Sequence, residues 1–157
     1  MSIVTFYRDD PNAPKTTRPT HLGVNVIITC DGKLLLEKRR DCDLWGLVGG
    51  GVKNHETPIQ AVVREVREEL GLRIDEKRFK KLGIYDDRGR IAAYRDGSVW
   101  RMVIVAYFLE LDSIPEMTIS KESRQLCFFS KEELADICVV VTHSDIIQQW
   151  FLPGDGK

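Results

Sequence analysis

The chain has 157 residues, the size of one ordinary domain, and 43% of them are apolar, enough for a real core. Its 23 basic residues nearly balance 24 acidic ones, for a net charge of −1 and a pI near 6.3. That argues against an extended nucleic-acid-binding surface but leaves room for a small phosphate-bearing ligand in a local field. No apolar run approaches the roughly 18 residues of a membrane span. Met1 to Arg18 carries Asp9, Asp10 and two prolines, with no apolar signal-peptide core, so the expected compartment is the cytoplasm.

In chain order, Ser2 to Tyr7 reads as a short strand, followed by a polar, proline-bearing loop or arm from Arg8 to Thr20. Residues 1–20 are set apart on this reading as an N-terminal strand and arm, and 21–157 as the main domain. His21 to Thr29 and Lys33 to Arg39 read as two strands of a hairpin joined by Asp31-Gly32, a strong turn signal. Trp45 to Val48 is a short apolar piece leading into Gly49-Gly50-Gly51.

Thr57 to Leu70 carries the clearest helix pattern. Thr57 and Gln60 have capping-box spacing, Pro58 suits the first turn, and Gly71 is a natural stop. Ile59, Val62, Val63, Val66 and Leu70 share one face. Further strands are expected over Phe79 to Tyr85, Val99 to Leu111 and Arg124 to Ser130, with a loop or twisted hairpin over Asp86 to Gly97. Ser130 is placed to cap a short turn with Glu133. Thr142 to Trp150 closes the chain as a helix, with Asp145 at the capping-box position and His143 at the surface. Mixed strands around one strong helix point to a single α/β or α+β layer fold. Among the cysteines, Cys30, Cys127 and Cys138 sit in apolar strings and are expected buried and reduced, and Cys42 in a polar stretch is expected exposed.

The chemistry concentrates on the strong helix. At about 100° per residue, Glu65, Glu68 and Glu69 fall on one acidic flank beside the buried face, while Arg64 and Arg67 lie toward the opposite side. Like charges at such spacing destabilise an isolated helix. A divalent cation offsets that repulsion, and carboxylates are preferred ligands of Mg²⁺ and Mn²⁺. A solvated charged face is the alternative reading of the same residues. The glycines upstream and Glu56 at the helix entrance favour the ion, since glycines let backbone approach it closely.

The pattern Gly50-x5-Glu56-x7-Arg64-Glu65-Val66-x-Glu68-Glu69-x-Gly71-Leu72 fills every defined position of the Nudix hydrolase signature, and the chain is identified by it as resembling that family. The resemblance implies an α/β fold, an α/β/α sandwich around a mixed sheet, and hydrolysis of a nucleoside diphosphate linked to another moiety, such as a nucleotide sugar or an ADP-ribose-like compound. It implies Glu65, Glu68 and Glu69 as metal ligands with the Gly49 carbonyl, for Mg²⁺ or Mn²⁺, and Glu56 and Arg64 as orienting partners of the loop and helix. Many members have a proline where Val48 stands and a glycine where His55 stands, so His55 either touches a phosphate or sits at the surface. A later loop often adds a carboxylate. Glu122 is the candidate, with a solvated loop glutamate as the alternative, and Asp86 and Asp87 are weaker ones.

The expected reaction is attack of a metal-activated water on a phosphorus of the pyrophosphate bridge, with Glu65, Glu69 or Glu122 as the base. Two alternatives remain. One is a nucleoside triphosphate pyrophosphohydrolase releasing pyrophosphate, and the other a non-catalytic Nudix-fold binding module, which has no need of the intact carboxylate set. Tyr85, Trp45, Trp100, Phe128 and Phe129 are either core aromatics or base platforms, and Arg88, Arg90, Arg95 and Arg101 are solvated or form a phosphate clamp. The expected ligand is a small nucleotide derivative, and the resemblance together with the arm suggests a homodimer.

Overall fold

A computed structural model describes residues 2–152. Its strands are β1 (Val4–Arg8), β2 (His21–Cys30), β3 (Lys33–Arg39), β4 (Trp45–Gly46), β5 (Val48–Gly51), β6 (Lys80–Tyr85), β7 (Arg90–Tyr94), β8 (Val99–Glu110) and β9 (Ser123–Phe129), with helices α1 (Pro58–Leu70) and α2 (Val141–Trp150). The centre of the sheet is the parallel pair β2 and β8, with Val24 opposite Val105 and Ile28 opposite Leu109. The other strand pairings are antiparallel.

Both central strands change partner along their length, and this curls the sheet. On its free edge β2 pairs with β5 through Gly23 to Val26, and with β3 only through Thr29 and Cys30. On its far edge β8 pairs with β7 at Val99 to Arg101 and with β6 from Ile104 to Phe108. The gap where β3 leaves β2 becomes the mouth of the site. The β2–β3 hairpin turns through Asp31 (φ 51°) and Gly32 (φ 74°), the two positive values that a two-residue turn of this hand needs.

A strand with a helix layer on each face has no polar side, which is why β2 and β8 read as nearly continuous apolar runs. Val24, Val26, Ile28, Val105, Tyr107 and Leu109 face Val62, Val66 and Leu70 of α1. Ile27, Ile104 and Ala106 turn to the other face and meet Ile146 and Ile147 of α2, with Trp45 packed edge-to-face on Phe129 at 4.8 Å. Each fully buried aliphatic side chain contributes about 1.5–3 kcal/mol. The result is an α/β/α sandwich around a curled mixed sheet. β1 pairs with β7 along its whole length and buries Val4 against Ala92 and Val140.

Helix α1 has the expected ends. The Thr57 hydroxyl accepts from the Gln60 amide, Gln60 accepts in return from the Thr57 amide, and Gly71 (φ 73°) closes the last turn. Ser130 and Glu133 cap each other before a short 3-10 turn. The segment Asp86 to Gly97 is a hairpin arm, β7, rather than a loop.

Three expectations need correction. Cys42 is buried under β1 and Cys138 is exposed, the reverse of what their neighbours in sequence suggest, and Cys127 is only half-buried. The added strand β1 covers Cys42. Asp145 does not cap α2, whose first residue follows Val140 with no side-chain cap. It is drawn instead to the buried guanidinium of Arg90. His143 is no surface residue, being 5% exposed.

Candidate active site

A cleft of about 500 Å³ opens where β3 and β5 separate along β2. Its acidic half is built on the glycine run. A side chain at Gly49 would fall on the Val24 carbonyl oxygen, and one at Gly50 would collide with the Glu65 carboxylate. Glycine is therefore the residue that lets β5 lie between β2 and the acidic flank of α1.

Arg64 binds this region together. Its Nε and Nη2 donate to the two oxygens of Glu56 at 2.7 and 3.0 Å, and Nη2 also donates to the Gly51 carbonyl at 2.9 Å. Nη1 donates to Glu65 at 2.8 Å and to Glu68 at 3.2 Å. The helix turns this guanidinium toward the loop and its own acidic flank, not to the opposite side as spacing alone suggested. The fork on Glu56 holds that carboxyl down at about 2, helped by the Lys53 amide.

Glu65 and Glu69 sit differently. Glu69 is 5% exposed and accepts from the Gly49 amide at 3.0 Å. Burial pushes its carboxyl well up, and the neighbouring Glu37 pushes it further. Glu37, 4% exposed, accepts from the Ser123 hydroxyl at 2.6 Å and is itself raised by burial. Burial also raises Glu65, against the pull of Arg64. Glu122 is exposed just before β9, on the wall facing Glu65 and Glu37, and its charge raises both.

Gly49, Gly50, Glu65, Glu69 and Glu122 thus share the cleft. Glu56 and Arg64 stand behind it, and Glu68 lies at its margin, half-exposed on Arg64. Asp86 and Asp87 lie outside, with Asp87 paired to Arg90. Tyr85 packs under Arg90 and bonds Gln149 and Trp150, so it is a packing residue. Arg90 is fully buried, and Arg101 donates to the Asp86 carbonyl, so neither forms a phosphate clamp. His55 is exposed.

Among the described residues, no three His, Cys, Asp or Glu side chains enclose an ion as they stand. The reason is visible: Arg64 occupies Glu65 and Glu68, and Glu37 and Glu69 lean on each other. The donor set nevertheless fits a hard divalent cation. It consists of carboxylate oxygens beside a glycine backbone, and two of the carboxyls are buried side by side, with Glu69 pushed up by burial and by Glu37.

The other half of the cleft is neither acidic nor foreseen. Arg39 follows Glu37 on β3 and donates bidentately to Asp41 at 2.9 and 2.6 Å, with its guanidinium 5.2 Å from the Phe6 ring. Phe6, Tyr94, Met102 and His143 complete this end. The one hint of it in the sequence is the alternation Leu35, Glu37, Arg39, which puts charges on a face that begins in the core.

The layered fold and the glycine-and-carboxylate cleft define a Nudix-type α/β/α domain. The NUDIX domain family matches residues 19–151, and the chain belongs to that family. It is thereby classified as a Nudix-family hydrolase. The nucleoside triphosphatase NudI of Enterobacter sp. is 31% identical over 57% of this chain and 64% of its own length. The CTP pyrophosphohydrolase of Escherichia coli is 47% identical over 31% of this chain and 39% of its own length. The chain therefore spans less than two thirds of these relatives. In structure it resembles the NUDIX domain of Shewanella oneidensis NrtR complexed with ADP ribose, with a TM-score of 0.67 and 21% identity, covering 89% of this chain and 90% of that one. This last likeness shows the fold alone. In the described residues no helix is long and apolar enough to cross a membrane.

Proposed function

We propose that the cleft hydrolyses the pyrophosphate bond of a nucleoside diphosphate linked to another moiety, with a divalent metal. The observation that carries this reading is the buried Glu37–Glu69 pair beside Glu65, a cluster of carboxyl groups facing the Gly49–Gly50 backbone. Glu65, Glu68, Glu69 and the Gly49 carbonyl would hold Mg²⁺ or Mn²⁺. Such an ion, when bound, supplies Lewis acidity toward phosphate oxygens and charge neutralisation.

The chain's own residues do the rest. Arg64, braced by Glu56 and Gly51, aims Glu65 into the cleft. The Gly49 amide fixes one oxygen of Glu69. Glu122, on the facing wall and without a side-chain partner among the described residues, takes the proton of the attacking water. Glu37 and Ser123 keep Glu69 in place from behind. The similarity to NudI and to the CTP pyrophosphohydrolase favours one second reading, a nucleoside triphosphate pyrophosphohydrolase working with the same residues.

The test is a screen of ADP-ribose, nucleotide sugars and nucleoside triphosphates with Mg²⁺ or Mn²⁺, identifying products by ion-exchange chromatography. A nucleoside monophosphate with a phosphorylated second moiety supports the first reading. A monophosphate with inorganic pyrophosphate supports the second. No turnover of either class refutes both.

A further inference from the structure

His143 lines the cleft from the first turn of α2, beside Gly46 and Arg39. Its Nδ1 accepts from the Leu47 amide at 3.0 Å. A ring nitrogen that accepts carries no proton, so the proton is on Nε2. Nε2 has no hydrogen-bond partner among the described residues, and the residue lines the cleft. Burial, reinforced by the charges of Arg39 and Arg90, holds the ring neutral, with its pKa down at about 3.

The ring is also locked in place. Arg90, fully buried, donates from Nη1 to the Thr142 carbonyl at 2.5 Å and pairs with Asp145 and Asp87. The Val140 amide donates to the Trp45 carbonyl at 2.8 Å. The first turn of α2 is therefore tied to β7 and to β4. Beside His143 the cleft wall carries Phe6 and Tyr94, packed on the small cluster that contains Val140, with the Arg39 guanidinium over the Phe6 ring and paired with Asp41. Phe6 lies outside the segment that the family matches.

We propose that His143 is a specificity-determining residue whose fixed Nε2–H donates to an acceptor atom of a nucleobase seated beside Tyr94 and the Arg39–Phe6 stack. An uncharged donor does little to balance a phosphate, whereas it suits a ring nitrogen or carbonyl oxygen of a flat heterocycle. A base at this end leaves the phosphates at the glutamate end. The inference rests on the nucleotide reading of the cleft and goes beyond it by assigning the base-reading atom.

The test needs no turnover. In the full chain with ¹⁵N-labelled histidine, the free protein should show His143 as the neutral Nε2–H tautomer. Titration with AMP, GMP, CMP and UMP should shift that resonance with at least one nucleotide, and inorganic pyrophosphate should not. If none moves it, or pyrophosphate moves it equally, the assignment falls, whether or not the protein hydrolyses anything. If a nucleotide moves it but no substrate is turned over, the catalytic reading fails and this one stands. Two variants add a second readout. His143→Asn keeps an acceptor for Leu47 but cannot reach as far as Nε2, and should weaken binding of the nucleotide tenfold or more. His143→Gln, whose amide reaches the Nε2 position, should recover part of that loss. Equal affinity in His143→Asn and wild type overturns the proposal.

Discussion

Two arginines organise the two ends of the cleft, and they do so in opposite ways. Arg64 gathers Glu56, Glu65, Glu68 and the Gly51 carbonyl, and three of these four lie within one helical turn or the loop just before it. Arg90 gathers Asp87 from its own hairpin but Thr142 and Asp145 from far along the chain. The first knot is local and, on the proposed reading, prepares a site for a cation. The second is long-range and fixes a helix end against the sheet. Each guanidinium faces more than one acidic group.

Removing each arginine should break this comparison most sharply. Arg64→Ala and Arg90→Ala each leave carboxylates without their cation, and each should cost about 3–5 kcal/mol by urea unfolding. Only the Arg64 variant should regain stability on adding Mg²⁺, because its orphaned carboxylates line the cation site. Equal Mg²⁺ responses in both variants would contradict the distinction.

The glycines separate fold from function within the acidic end. Gly49→Ala drives a methyl onto strand backbone, which cannot yield, so the protein should unfold or lose several kcal/mol. Gly50→Ala meets only the Glu65 carboxylate, a side chain that can swing away. That variant should remain folded by circular dichroism and lose most of its metal-dependent activity.

The two ends should also respond oppositely to pH in the metal-free protein. The Glu37–Glu69 carboxyls are raised on folding, so their contribution is full below the ordinary carboxylate range and is lost as pH rises through the folded value. His143 is lowered, from 6.5 to about 3, so its contribution is full above pH 6.5 and is lost as pH falls toward 3. Urea unfolding across this range should show Glu69→Gln flattening the alkaline side and His143→Asn flattening the acid side. Because metal binding must displace the Glu69 proton, Mg²⁺ should stabilise more at pH 8 than at pH 6. The smallest effect belongs to Ser123→Ala, which leaves the buried Glu37 without its hydroxyl donor and should cost about 1–3 kcal/mol.

The legibility of the sequence follows the same division. The acidic end could be read because its parts are near neighbours: a capped helix, glycines that only a close approach explains, and glutamates at helical spacing. The strands were readable from apolar runs, since β2 and β8 are buried on both faces. The second end was not readable. Glu37 carries no local signal of a site; β9 supplies its Ser123 partner and α1 its Glu69 neighbour. Arg90 and Asp145 are separated by 55 positions, and no local rule joins them. His143 has the sequence context of an exposed helix start, and is buried where it packs against Gly46 and takes the Leu47 amide, 96 positions away.

The most direct test of the central claim, that buried carboxylates at the glycine run form a metal-dependent hydrolytic site, is the rate of Glu69→Gln on the best nucleotide substrate at saturating Mg²⁺. The variant should fold, and without metal near neutral pH it should be about as stable as the wild type, because the Gln amide resembles the protonated carboxyl and keeps a donor toward Glu37. Its kcat should fall by at least about 100-fold, the scale on which a group acting in the transition state contributes. A folded variant within threefold of wild type would contradict the account.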